Sequence, residues 1–540
     1  MNKNRATAAV VAILVLGGPG LACAHDHGGA VESPEALGKV TFPTSCSAMV
    51  QREFESGVAL LHSFEYDRAT RQFQQISEMD PDCAMSYWGS AMSLYHEIWN
   101  DPSDNDLANG WQLLQKATTA AEKSPRESSW IQALASFYEP GSRTAQQRKE
   151  QYSQAMEKLQ KAFPADDEAA VFYALSLLAA APPTDTELTY ARKAVAILDG
   201  VLARNPGHPG AAHYLIHACD TPSLAQQGLA AARRYASTAP ASPHALHMPS
   251  HIFARLGLWK EDIASNLAAK RAAEETSAGA SYRLHPMDFL EYAYLQTGQD
   301  VKARAIEADA VSGGSKGYGH GTEKYYYFVQ AQFPALLALE ARDWQAAEQL
   351  KPLADAEPGY RKVTYWARAL GAGHLRHASA ASAAVAALDE EYAAYAKSHP
   401  DQPAPPVWIR RNEAHAWLAF ARGDDASAFD LLRAAIDYED KVGKDETDLP
   451  AREMYADMLL ESKQPAQALE QYRLSLKSDP NRFNGLYGAG SAAEVLGQAQ
   501  TAAEYYSKLL ANCEQADDPP RSELLHAKQF VARSGDSARR

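Results

Sequence analysis

The sequence has no basic surplus. Lysine and arginine number 52 against 67 aspartates and glutamates, a formal net charge of −15, and no basic run interrupts that balance. A nucleic-acid partner is therefore not expected, because phosphate binding needs a cationic face. Beyond the first 24 residues no apolar stretch is long enough to span a bilayer. Alternating apolar and polar runs, the mark of half-buried strands, are missing too. Several chemical signatures are absent: His-Glu-x-x-His, Gly-x-Ser-x-Gly and the Cys-x-x-Cys-His haem attachment. The run Gly313-Gly314-Ser315-Lys316-Gly317 lacks the spacing of a phosphate-binding loop. What is present is ordinary for a soluble chain, with 46% hydrophobic and 22% charged residues.

Residues 1–24 read as a secretory signal. Lys3 and Arg5 make the positive start, Ala6 to Leu16 the apolar stretch, and Ala22-Cys23-Ala24 a small-residue cleavage site. The expected location is periplasmic or secreted; a lipoprotein anchored through Cys23 is the alternative. Cleavage after Ala24 would expose His25-Asp26-His27. Its amine, two backbone amides and third-place imidazole form a set favoured by copper(II) and nickel(II), unless the segment is only a solvated tail. Residues 25–43 are expected to be a flexible N-terminal tail.

One interval recurs along the rest of the chain. Ala468 and Ala502, Tyr472 and Tyr506, and Leu476 and Leu510 each stand 34 residues apart. A small residue lets two helices approach, an aromatic ring fills the gap, and Pro480 after Asp479 ends the second helix. Ala69, Phe73 and Pro81 repeat the spacing, and Asn205-Pro206, Gly257 with Trp259, Gly298 with Ala303, Trp344 with Ala347, and Gly423 with Ala428 continue it. Over residues 44–512 the chain resembles the tetratricopeptide repeat (TPR) superfamily. More narrowly, it is similar to a family of exported bacterial repeat proteins. That likeness rests on His213 to Asp220, His244 to Phe253 and Pro480-Asn481-Arg482-Phe483, and it implies no established activity. The superfamily resemblance implies an all-α, right-handed superhelix of helical hairpins. Its concave groove would take a peptide, a partner protein or a small anionic ligand.

The expected organisation is a first array over 44–310 carrying a histidine-rich groove, a glycine-rich loop over 311–323, and a second array over 324–512. A C-terminal tail over 513–540 follows, with a short helix over 521–533, and Ser398 to Pro406 is a linker or turn. Cys46 and Cys83 open the first helices of consecutive repeats, so they are either a disulfide or two unrelated thiols. Cys219 faces the helix partner and is expected to be a buried thiol.

The most informative residues are histidines. His213 and His217 are four apart, as are His247 and His251, and the two pairs are offset by 34 residues. Positions i and i+4 share one helix face, so the four imidazoles should look out from neighbouring helices. Six of the seventeen histidines fall within 208–251. In the repeat numbering that the resemblance implies, His213, His217, Asp220, His244, His247 and His251 all line the groove. Histidines on adjacent helices can converge on one ion, so His213, His217, Asp220, His247 and His251 are candidate ligands for zinc, copper(II) or nickel(II). His62, His96, His244, His285, Asp288 and Tyr292 are candidate ligand-binding residues of the same groove. His415 is expected to be packed in the core, and Glu453 and Asp457 to offer a protein-contact surface in the second array. Two other readings stay open, a metal-free polar groove and histidines that only cap helices. Pro249 inside the second pair would kink a helix or start one. The expected function is an exported binding or scaffold protein. The alternative is a metal-dependent hydrolase with Asp220, Asp288 or Glu291 as base, although nothing in the sequence singles out a base.

Overall fold

The computed structural model describes residues 37–539, apart from 99–100, 122, 183, 277–279, 313–322, 355, 357–359 and 399–404. The leader, His25-Asp26-His27, His320 and most of the glycine-rich loop lie outside the described residues. The described chain is built of helices, with no strand among the described residues.

The first hairpin sets the plan. Helices Gln51–His62 and Tyr66–Met79 lie antiparallel, and Phe73 plugs the space between them and the next helix, Ala84–Met92. A Cβ at Gly57 would stand 2.7 Å from the Phe73 ring, and one at Gly89 2.4 Å. The small residues are what let the helices close on the ring. Tyr472 against Gly488 and Tyr506 against Gly490 repeat the arrangement near the other end. Ser103, Ser124 and Thr144 each start a helix with a capping box, which satisfies backbone N–H groups that would otherwise be orphaned. Hairpin follows hairpin in chain order. The fold is thus an all-α, TPR-type solenoid of helical hairpins.

The array does not stay open along its length. The turn at Gly257 to Trp259 meets Pro480 and Asn481, with Trp259 Nε1 donating to the Asn481 carbonyl at 2.8 Å. Asn481 Nδ2 donates back to the Gly257 carbonyl at 3.2 Å. Gly257 sits at φ +63°, and a Cβ there would lie 2.2 Å from the Pro480 oxygen, so both the backbone conformation and the close approach require glycine. Arg482 is the centre of this contact. It is 1% exposed and reaches Glu453 at 2.8 Å and Glu340 at 2.8 Å. Its guanidinium also donates to the Tyr292 hydroxyl.

Both ends are packed where loose tails were expected, and the expected C-terminal helix is present within Ser522–Arg539. Leu37, Val40 and Phe42 are buried, and the Phe42 ring lies 5.0 Å from Trp130 and 5.6 Å from Trp88. The end of the expected tail is therefore part of the core. The expected C-terminal tail is also docked. Helix Ser522–Arg539 buries Leu524 and Ala527, and Arg521 bonds Asp300. Apolar residues recurring within a polar segment were enough to hold it. Cys46 and Cys83 form a disulfide. The bridge spans 37 residues, and removing it by Cys46→Ser should lower stability by about 3–4 kcal/mol. A shift in the denaturant midpoint of the N-terminal hairpins checks this, and an unchanged midpoint would contradict it. Cys219 is a free, buried thiol, and burial pushes it up to about 12. No helix among the described residues is long and apolar enough to cross a membrane.

Candidate metal centre

Four helices bring six imidazoles together. His213 and His217 stand on Pro209–Cys219, His244 and His247 on Pro243–His247, His251 on Pro249–Arg255, and His285 on Ala280–Gln296. Pro209 and Pro243 occupy first-turn positions where the missing N–H costs nothing. Met248, between the two short helices, keeps a right-handed helical conformation. Pro249 therefore interrupts the hydrogen bonding without redirecting the chain. Both i, i+4 pairs keep the same relation, with Nε2 atoms 3.1 Å apart in each.

The imidazoles sort into two triads, His213 with His217 and His244, and His247 with His251 and His285. Within each triad one nitrogen from every ring lies within 4.8 Å of the others. His213 is the centre of the first. Its Nε2 is 3.1 Å from the Nε2 of His217 and 3.1 Å from that of His244. Its Nδ1 is 2.6 Å from the His62 carbonyl oxygen. A carbonyl only accepts, so the proton belongs on Nδ1 and the Nε2 lone pair points at its two neighbours. In the second triad His247 Nδ1 is 2.7 Å from Asn266 Oδ1. The amide orientation follows from Asn266 Nδ2, which donates to Asp262 Oδ1 at 2.8 Å. His251 Nδ1 is 2.8 Å from Glu446 Oε1 and 3.0 Å from Asp220 Oδ2. In all three rings an oxygen acceptor holds Nδ1 and leaves Nε2 turned inward.

Electrostatics reinforce this. Burial holds His213, His217, His244 and His247 well below the ordinary imidazole value, and the neighbouring imidazoles add to the effect. His285 is lowered to about 3 by burial and by His251. These rings are neutral at pH 7, the form that ligates. His251 is the exception: burial opposes its charge, but Glu446 and Asp220 outweigh it and raise it to about 10. Arg255 shares both carboxylates, at 2.9 Å from Asp220 Oδ1 and 3.5 Å from Glu446. Phe64 closes the first triad from one side. Its ring centre is 4.4 Å from that of His213 and 5.5 Å from that of His217. Its backbone is held at φ +56°, where bulky residues are uncommon, and its carbonyl accepts from the Tyr282 hydroxyl at 3.0 Å.

No family model matches the chain, and no curated protein matches it. Two solved structures with which it can be superposed are of low similarity. The human IFIT1 dimer with m7Gppp-AAAA is 14% identical, covering 79% of this chain and 90% of that one, with a TM-score of 0.35. The APC/C hetero-tetramer Cut9-Hcn1 is 12% identical, covering 89% of each chain, with a TM-score of 0.31. Likeness of that size contributes nothing to the reading of the site, which stands on its own geometry.

Not every candidate joins the cluster. His244 and His285 enter the triads directly. Asp220 stands behind His251 on the Nδ1 side, which makes it an orienting partner of that ring. His62 turns its ring away: Nε2 meets Glu168 at 2.7 Å, and Nδ1 meets the Tyr214 hydroxyl at 3.0 Å. Only its carbonyl serves the site. His208 also meets Glu168, at 3.1 Å, and all three side chains are buried. His96 stacks on Tyr66 with centres 4.3 Å apart, away from the triads. Tyr292 belongs to the Arg482 contact. Asp288 accepts from Thr447 Oγ1 at 3.1 Å, and burial raises it to about 7, helped by Asp448, Asp445 and Glu446. Glu453 and Asp457 are not a free protein-contact surface, because Arg482 and Arg342 bind them. His415 is not core-packed: its side chain is 31% exposed and pairs with Asp389 at 3.0 Å. Sequence reasoning missed Glu446, Asn266 and Phe64. Glu446 is 195 residues from His251, and nothing local could have signalled it. Asn266, nineteen residues past His247, follows it in the same hairpin, where an amide on the facing helix was the available hint.

Proposed function

We propose that the protein is an exported metal-binding repeat protein whose adjacent three-imidazole sites each hold a divalent transition-metal ion. His213, His217 and His244 form one site; His247, His251 and His285 form the other. The observation that carries this reading is the approach of Nε2 atoms to 3.1 Å in the pairs His213–His217, His213–His244 and His247–His251, while oxygen acceptors hold Nδ1 of His213, His247 and His251. Without a proton or a cation between them, lone pairs at that distance repel. Nitrogens around a tetrahedral ion with bonds of about 2.0–2.1 Å lie about 3.3 Å apart, close to what the triad already presents. An all-imidazole set suits zinc, copper(II) or nickel(II). Asn266 fixes the His247 ring and the carboxylates fix His251, where a metal at Nε2 would take the place of a proton. The Cys46–Cys83 disulfide supports an oxidising location.

Three imidazoles leave a coordination position open. A small anion, or a carboxylate on a peptide or protein partner, is the class of ligand that would complete it. A hydrolytic reading uses the same open position for water. It is favoured by Asp288 and Glu291, buried carboxylates on the His285 helix, and it expects chelator-sensitive turnover of an ester, amide or phosphate. Elemental analysis of untagged protein tests the main reading. About two equivalents of zinc, copper or nickel per chain are expected; less than about a tenth of an equivalent after soaking and desalting would overturn it and favour a metal-free groove.

A further inference from the structure

A second feature lies beside the metal centre, sharing Asp220 and Arg255 with the groups behind His251. A cavity of about 800 Å³ opens between the segment around Asp185 to Ser223 and the C-terminal residues around Trp366, Arg410 and Gly443 to Leu449. Its size is that of a site for an organic molecule rather than a bare ion. Eight carboxylates line it against four cationic side chains, so its field is negative and opposes an anionic occupant.

Three of those four cations are already committed. Arg410 pairs with Asp448, Lys444 with Asp479 at 2.7 Å, and Arg255 with Asp220 at 2.9 Å. The fourth, Lys441, is exposed at the rim. Four of the eight carboxylates are paired with cations, Asp220, Asp440, Asp448 and Asp479; of the others, Glu413 and Glu439 face each other across the cavity wall. Glu413 is 1% exposed; its Oε2 accepts the Trp366 indole N–H at 2.7 Å, and its Oε1 has no partner among the described residues. Glu439 accepts the Ala451 N–H at 2.9 Å. A buried carboxyl oxygen with nothing to accept from costs free energy in the empty site. Here burial and the proximity of Glu439 raise Glu413 to about 8, and Glu439 itself is raised to about 7. An arriving cation would relieve both.

We propose that this cavity binds an organic cation, with its ammonium or guanidinium group on Glu413 and Glu439 and its apolar stem along Trp366, Ile409 and Leu449. A calcium ion is a poor match, since it takes six to eight oxygens and four of the eight carboxylates here are already paired with cations. The same chemistry is carried by a free amine and by a lysine or arginine side chain of a peptide.

Calorimetry on the full-length protein decides the matter, with agmatine and cadaverine as free amines, an acetylated lysine amide as the peptide-like probe, and glutarate and calcium chloride as controls. Saturable binding of an amine probe is expected, with glutarate silent. Binding of agmatine or cadaverine identifies a free amine as the ligand class; binding of the lysine amide alone identifies a peptide side chain. Glu413→Gln, nearly isosteric, should weaken binding by at least about tenfold with metal content and thermal midpoint unchanged. Glu439→Gln should act in the same direction and serves if the first variant is unstable. The proposal is overturned if no amine saturates below about 1 mM. It is equally overturned if calcium or glutarate binds as well as the amines, or if both Gln variants bind like the parent.

Discussion

Replacing His213 by alanine should remove one metal ion per chain and leave the other site filled. His213 holds the central position of its triad, so its loss removes one ligand and also the ring that positions the other two. Its Nδ1 bond to the His62 carbonyl disappears with it. Affinity at that site should fall by more than about 100-fold, beyond the 10–100-fold typical of losing an outer hydrogen-bond partner. His247→Ala should do the same to the second site, and the double variant should bind no metal. Asn266→Ala keeps all six imidazoles and removes only the acceptor behind His247, so it should cost about 10–100-fold at the second site alone. Titration with a competing chelator measures each constant. If His213→Ala and the parent carried the same metal content, the triad would be a hydrogen-bonded groove and the metal reading would fail.

Arg482→Met should lower stability by about 3–5 kcal/mol. Arg482 is 1% exposed, and its two carboxylate partners, Glu340 and Glu453, are 0% and 5% exposed. Removing the guanidinium leaves both acids buried beside each other without a counter-charge. Arg482→Lys should recover only part of the loss, because one ammonium cannot reproduce the forked contacts to two carboxylates and the Tyr292 hydroxyl. Replacing Glu340 and Glu453 together with Arg482 by apolar residues of similar volume should restore most of it. The measurement is the denaturant transition of the C-terminal hairpins, compared at one pH and salt concentration. A shift of less than about 1 kcal/mol in Arg482→Met would mean that the closure is held by the apolar contacts instead.

The contrast between these two sites explains what could be read in advance. The imidazole pairs were legible because helix geometry is local: four residues apart means one face, and a 34-residue offset means the same face of the next hairpin. His244 and His285 were legible as members of the same groove, by their register in the repeat. Asp220 was located correctly near His251, but its role depended on which ring nitrogen it met. His62 and Tyr292 went elsewhere because each found a buried charged partner from a distant repeat, Glu168 and Arg482 respectively. The segment Pro480-Asn481-Arg482-Phe483 stood out in the sequence without an explanation. Its neighbours across the closure, Gly257, Tyr292 and Glu340, lie 142 or more residues away in the chain. The same is true of the acid-lined cavity, whose walls come from both halves of the array.

From the order of its residues alone, this chain determined its hairpins, their repeat length and the shared face of the two i, i+4 histidine pairs, since all three follow from contacts within a few turns of helix. Tertiary structure decided how far the array curls, and therefore that Glu446 reaches His251, that Arg482 is buried between two carboxylates, and that a negative cavity opens beside the imidazoles. Those outcomes depend on small rotations between successive hairpins. They accumulate over many repeats, and no single stretch of sequence encodes them.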